Sequence, residues 1–299
     1  MQKKVELGVL DFNMRLWPTV REPQPPAAYL DDALRLARAA ESWGYGRYWL
    51  AQHYGGQDCW ASPEVPLTFL AAQTKTIRLG TAGILLNLHA PYRIANDYAL
   101  LAHLFPDRID LGLARGIPWI AANETELRRS AGDEATFESR FVRVKRLLTY
   151  TPANVGTGEV YVLPSPPRCP ALWLLGTSGR AAAYAADEAV NFCLSLFHKP
   201  VEPEELRAFF SRRGGQAIVG SIAVAGICAD TNDAAQAIAA RSVRSVIPTV
   251  IGDPATVRDA VHDIVRRSGA EEVVFLDLCT NPEEKRRSVR LFSRAVAEA

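Results

Sequence analysis

Four short stretches of the chain carry residue types that could do chemistry. His53 stands in Trp49-Leu50-Ala51-Gln52-His53-Tyr54, at the end of an apolar, β-rich run. An imidazole titrates near pH 6.5, so it can donate or accept a proton near neutrality. The bland alternative is a hydrogen-bonded structural histidine. Arg115 and Gly116 close the run Asp110-Leu111-Gly112-Leu113-Ala114-Arg115-Gly116. A guanidinium at a strand's end suits bidentate binding of phosphate. It equally suits a surface arginine paired with a loop carboxylate.

Gly176-Thr177-Ser178-Gly179 lies between an apolar run and the alanine-rich Ala181–Asp187. Small residues let a backbone approach a ligand, and helix N-terminal N–H groups attract anions such as phosphate. The same run nearly matches the hydrolase elbow G-x-S-x-G with Ser178 as nucleophile, except that Arg180 replaces the final glycine. An ordinary Ser/Gly turn is the third reading. The fourth stretch is Leu79-Gly80-Thr81-Ala82-Gly83-Ile84-Leu85-Leu86, followed by Asn87-Leu88-His89-Ala90-Pro91. Two glycines weaken a buried strand unless a ligand or another backbone comes close. His89, just before a helix start at Pro91, reads either as a catalyst or as a residue that caps or packs.

These residues need elements to hold them. Strands are expected at Val5–Leu10, Arg47–Ala51, Ile77–Leu86, Ile109–Leu113, Leu172–Leu175, Val190–Leu196, Ile218–Cys228 and Val273–Leu278. Most are continuous apolar runs, as in parallel strands buried on both faces. Between them lie helical patterns. Tyr29, Leu30, Ala33, Leu34, Ala37, Ala40 and Trp43 form one stripe, and Phe137, Phe141, Val144 and Leu148 another. Asp253 and Pro254 read as N-cap and first helical position, with Gly269 as the stop. Eight βα alternations without a polar linker predict one domain, residues 1–299, folded as a (β/α)8 TIM-type barrel. A doubly wound open sheet is the competing architecture. Two connections are long, Gly116–Glu134 and Thr151–Ala171. The first follows a strand's C-terminal end, where barrel chemistry occurs, and the second reads as structural covering.

Composition narrows the function classes. In 299 residues the formal net charge is +1, 48% are hydrophobic, and no long basic run occurs. That argues against nucleic-acid binding and against a polybasic membrane anchor. The start of the chain lacks the apolar stretch of a signal peptide or a membrane span, so a cytoplasmic location is expected. Five scattered cysteines (Cys59, Cys169, Cys193, Cys228, Cys279) read as free thiols. There is no G-x-G-x-x-G after a strand, no P-loop, and no metal-ligand spacing among the five histidines. No metal is expected.

Taken in order, Trp49–Tyr54, Arg78–Pro91, Pro106–Gly116, Gly176–Ser178 and Val250-Ile251-Gly252-Asp253-Pro254 resemble the bacterial luciferase-like flavin monooxygenase family over nearly the whole chain. The resemblance implies the (β/α)8 barrel independently. It implies that His53 is the active-site histidine and that Arg115 holds the FMN phosphate. Gly176, Thr177 and Ser178 would be its partners, and Ala82 and Gly83 would be joined by a cis peptide beneath the isoalloxazine. Three departures stand out. The family's Ala-Glu-His-His reads Ala-Gln-His-Tyr here, Ala114 replaces a luciferase cysteine, and the luciferase lid is reduced to about Arg241–Ile251. They count against light emission from a long-chain aldehyde but not against ordinary oxygenation.

The function implied is an FMN-dependent monooxygenase acting on a small or medium-sized organic substrate with dioxygen. With no nicotinamide-binding unit in the chain, a separate flavin reductase must deliver reduced FMN. A homodimer is the expected assembly. The alternatives are hydride transfer with a deazaflavin coenzyme on the same barrel, a non-catalytic flavin-binding subunit and, more remotely, a serine hydrolase.

Overall fold

The computed structural model describes residues 5–12, 25–54, 60–116, 127, 136–150, 160–164, 169–242 and 246–297. Most of both long connections, Cys59 and part of the short lid segment lie outside the described residues.

Eight parallel strands close on themselves. They are β1 (Glu6–Asp11), β2 (Arg47–Leu50), β3 (Arg78–Leu85), β4 (Ile109–Ala114), β5 (Ala171–Gly176), β6 (Asn191–Ser195), β7 (Gly220–Cys228) and β9 (Glu272–Asp277). Each pairs with the next, β7 pairs with β9, and β9 returns to β1. Those closing pairs rule out the open doubly wound sheet. A ninth strand, β8 (Val250–Gly252), is not anticipated from the sequence. It lies along the last residues of β7, from Gly226 to Cys228, on the edge that β6 occupies only as far as Ala223. All nine residues of β7 are therefore buried.

The outer layer follows the predicted stripes. Helix α1 (Pro26–Ser42), α2 (Glu64–Gln73), α3 (Pro91–Leu104) and α4 (Phe137–Thr149) are succeeded by α5 (Gly179–Asp187), α6 (Arg207–Arg213) and α7 (Asn232–Ala240). Then come α8 (Pro254–Ser268) and α9 (Pro282–Ala297). The expected punctuation of α8 is present. The Asp253 side chain accepts from Thr256 N at 2.8 Å, Pro254 opens the helix, and Gly269 stops it at φ 75°, the left-handed region.

Strand alternation sorts the core into two clusters. One packs helices against the outside of the sheet, and the other fills the barrel with Leu10, Trp49, Trp173, Cys193, Ala223 and Val274 among others. Inside, the layers differ in chemistry. At the strands' N-terminal end, Arg47 pairs with Asp110 and, at 2.6 Å, with Glu272, while Arg78 reaches Asp110 at 2.7 Å. Above this charged plug Trp49 meets Trp173 edge to face at 4.9 Å, and Trp49 Nε1 donates to Asp110 at 3.0 Å. The next layer up opens into a cavity.

Candidate active site

A cavity of about 390 Å³ occupies the C-terminal mouth of the barrel. His53, Ala82, Gly83, Arg115, Gly176 and Thr177 all line it, with Gln52, Tyr54 and Ala114 on the same side. Residues from β2, β3, β4 and β5 thus converge where barrel active sites lie. The opposite arc is made by Leu10, Phe12, Cys193, Ser195, Phe197, His198, Ala223 and Val274.

His53 follows β2 by three residues and is half-buried. The edge of its ring meets Phe12 at 4.9 Å between centroids. Burial, with His198 nearby as a second imidazole, lowers its pKa to about 4. The unperturbed value near neutrality therefore does not apply. At pH 7 His53 is a neutral imidazole, able to accept a proton and to hydrogen-bond but not to arrive as a cation.

His89 does not line the cavity. Its Nε2 lies 3.1 Å from Gln52 Oε1 and 3.2 Å from the Tyr54 hydroxyl. Gln52 is fixed on both sides, because Oε1 accepts from Leu85 N at 2.8 Å and Nε2 donates to Ala61 O at 2.8 Å. The amide orientation makes Oε1 an acceptor, so His89 must donate to it from Nε2. Burial pushes His89 to about 4 as well, in keeping with a neutral ring. The departure Gln52/Tyr54 is thus a connected neutral network: Gln52 Nε2 also donates to the Tyr54 hydroxyl at 3.1 Å.

The register of β3 against β4 shifts between Thr81 and Ile84, which places Ala82 and Gly83 in a bulge at the mouth. Bulges commonly re-aim strands beside active sites. The Ala82–Gly83 peptide is cis. A Cβ on Gly83 would lie 3.1 Å from both Ala114 N and Gly112 O of the β4 chain, tighter than ordinary contact, so glycine suits this close approach of the two backbones.

Arg115 stands at the rim with its side chain 66% exposed, beside Glu138 on α4 and with its guanidinium 5.4 Å from the Phe137 ring centre. The pairing with a carboxylate is the bland reading of this arginine, although the partner is on a helix, not a loop. It does not remove Arg115 from the cavity wall. Ser178 is placed differently. It caps α5, its Oγ accepting from Ala181 N at 3.3 Å, and it is not among the residues lining the cavity. The neighbouring Gly179 N–H donates to the Glu205 carboxylate, so part of this helix N-terminus is already served by the protein's own anion.

Strand β6 is expected from the sequence, but none of its residues is singled out there for the site. Cys193 and Ser195 alternate inward while Phe192 and Leu194 face the helices. The period-2 change from large apolar to small polar residues was the available signal. Burial pushes the Cys193 thiol up to about 12, so it is neutral.

The four described cysteines, Cys169, Cys193, Cys228 and Cys279, are free. Among the described residues no helix is long and apolar enough to cross a membrane.

Residues 10–270 match the family model described as luciferase-like monooxygenase. N-acetyl-S-alkylcysteine monooxygenase of Bacillus subtilis (strain 168) is 30% identical over 216 residues, covering 69% of this chain and 62% of that protein. The crystal structure of apo-MsnO8 superposes with a TM-score of 0.83 at 27% identity, covering 97% of this chain and 98% of that one. More distant chains at 12–15% identity share the fold. One is described in complex with FMN and two are named as dependent on coenzyme F420.

Proposed function

The chain belongs to the luciferase-like monooxygenase family, an oxidoreductase family, and within it we propose an FMN-dependent monooxygenase that receives reduced flavin from a separate reductase. The observation that carries this reading is the convergence of His53, Ala82, Gly83, Arg115, Gly176 and Thr177 on one cavity. When bound, reduced FMN supplies the two electrons by which one oxygen atom of dioxygen enters the substrate and the other leaves as water.

The residues present fit that group. An apolar floor at Leu10, Ala82, Gly83, Ala114 and Leu175 suits a flat ring system. Arg115 would hold the phosphate by a charge-assisted contact, exchanging Glu138 for it. Thr177 would donate from the cavity wall. Ser178 would add its hydroxyl proton, because its cap bond uses the oxygen only as an acceptor. His53, neutral and against Phe12, would take or return a proton at a ring nitrogen on the substrate side. The aromatic side chains at the mouth would keep water out.

The functional unit is a single barrel domain acting as a homodimer. Val65 and Phe69 on α2, with Leu100 and Leu104 on α3, are 39–69% exposed, apolar surface that a second copy would cover. Light scattering should then report twice the chain mass. The activity is tested with an independent flavin reductase, NADH, FMN and ¹⁸O₂ over a panel of neutral organic compounds. Product carrying a single ¹⁸O is expected. Reduced product with no label would instead indicate hydride transfer.

A further inference from the structure

On β6, beside the Gly176 end of β5, the cavity wall holds a group that neither the fold nor that reading uses. Ser195, the last residue of β6, is 9% exposed, and its Oγ is buried with no hydrogen-bond partner among the described residues. Buried hydroxyls are nearly always paired, since an unpaired one has left water without compensation. This one lines the cavity, so the partner it lacks belongs inside the cavity.

The surroundings limit what that partner can be. From β6 round to β1 the arc consists of Leu10, Phe12, Cys193, Phe197, His198, Ala223 and Val274, with burial lowering the pKa of His198. None is charged, and the thiol is neutral because burial raises it. Arg115, the cation on the cavity wall, stands on the flavin side. An ionised ligand group beside Ser195 would be desolvated without a counter-charge, which is costly. A neutral oxygen loses little, because the hydroxyl can donate to a carbonyl or accept from another hydroxyl. The rest of the arc is aromatic and aliphatic. Phe12 meets Phe197 edge to face at 5.8 Å and lies nearly parallel to His198 at 6.3 Å.

We infer that Ser195 is the substrate-recognition residue of this cavity, selecting a compact apolar molecule that carries one neutral carbonyl or hydroxyl oxygen. The inference rests on the monooxygenase reading for the word substrate, but its test needs no turnover. The bond locates the oxygen-bearing end against β6 and leaves the apolar remainder toward His53 and the flavin side.

Tetralin and 1-tetralone differ by one carbonyl and serve as the probe pair. Their binding to the FMN-loaded protein is measured by calorimetry for the parent, Ser195→Ala and Ser195→Thr. The parent should bind 1-tetralone about 10-fold more tightly than tetralin, the worth of one buried neutral hydrogen bond. Ser195→Ala should lose that preference while holding tetralin as before, and Ser195→Thr should keep it. Should the alanine variant precipitate, Ser195→Cys makes the same comparison with a much weaker hydrogen-bonding group. A preference unchanged in Ser195→Ala overturns the inference, as does a parent that does not distinguish the two compounds. Equal weakening of both ligands, or a loss confined to FMN affinity, also overturns it, by making the residue steric or a flavin contact. Because binding is read directly, a protein that fails to oxygenate but keeps the Ser195-dependent preference would sink the activity reading alone.

Discussion

The two ends of the barrel use polar residues in opposite ways. At the N-terminal end the charges are buried and matched: Arg47 and Arg78 converge on Asp110, and Arg47 also reaches Glu272. In and beside the cavity at the C-terminal mouth the polar groups are neutral (His53, His89, Gln52, Cys193 and Ser195), while the buried charges of that end, Asp11 with Lys285 and Asp277, lie outside the cavity. The mouth's cation, Arg115, stands exposed at the rim. In the ionic plug each buried charge has its counter-charge within the protein itself. A neutral mouth with an unpaired hydroxyl is completed by something that enters. The contrast agrees with the general division of such barrels into a stability face and a reaction face.

The largest effect should come from breaking the plug. Arg47→Met leaves Asp110 and Glu272 buried without their partner, and removing one member of a buried pair costs about 3–5 kcal/mol. Chemical denaturation should show that loss, while the fraction still folded binds FMN as the parent does. A stable variant with damaged FMN binding would blur the division between the two ends.

Next comes His53→Ala, which should fold and bind reduced FMN nearly as well as the parent. Its rate of product formation should fall on the order of 10²–10⁴, the usual range for one positioned proton-transfer group. Hydrogen peroxide should rise as product falls, and both can be followed in one reaction. An unchanged rate and ratio would make His53 structural and leave Tyr54, also on the cavity wall, to be tested for the proton role.

Arg115→Ala should weaken FMN by roughly 10- to 100-fold, one charge-assisted contact, while phosphate-free riboflavin is held as before. Glu138 competes for the same guanidinium, so Glu138→Gln should tighten FMN by a few-fold. Equal losses for FMN and riboflavin in Arg115→Ala would remove Arg115 from the phosphate.

The smallest effect is on pH stability. His53 and His89 are held at about 4, below the roughly 6.5 of an unfolded chain. Between those values the unfolded chain binds protons that the native one refuses, so these residues make stability fall as pH drops from about 6.5 toward 4. Asp277 works the other way. Burial raises it to about 6, so the native state takes its proton first as pH falls. Melting temperatures of His89→Gln should therefore decline less steeply than the parent's between pH 6.5 and 4.5. A parallel decline would place the titrating groups elsewhere.

The sequence shows the ends of the barrel unequally. The eight strands are legible because doubly buried strands are continuous apolar runs, and α8 is legible from Asp253, Pro254 and Gly269. Strand β8 is not, since three residues give no periodicity. The plug is invisible too: Arg47, Arg78, Asp110 and Glu272 come together only through strand register and closure. At the mouth, His53, Gly83, Arg115, Gly176 and Thr177 are suggested by type and position and Ala82 by the family resemblance, and the structure brings them to one cavity. Ser178 is suggested equally but caps a helix. His89 is ambiguous in sequence because its role depends on the orientation of Gln52, fixed by the Leu85 and Ala61 backbones. Ser195 carries no motif, and its importance comes from having no partner.

The central claim is that this neutral, apolar mouth with a cation at its rim is built for reduced FMN. Anaerobic titration with reduced FMN, oxidised FMN and the deazaflavin coenzyme tests it most directly. The account predicts the tightest binding for reduced FMN, with a dependence on Arg115. Preferential binding of the deazaflavin coenzyme, or no binding of any of the three, would contradict it.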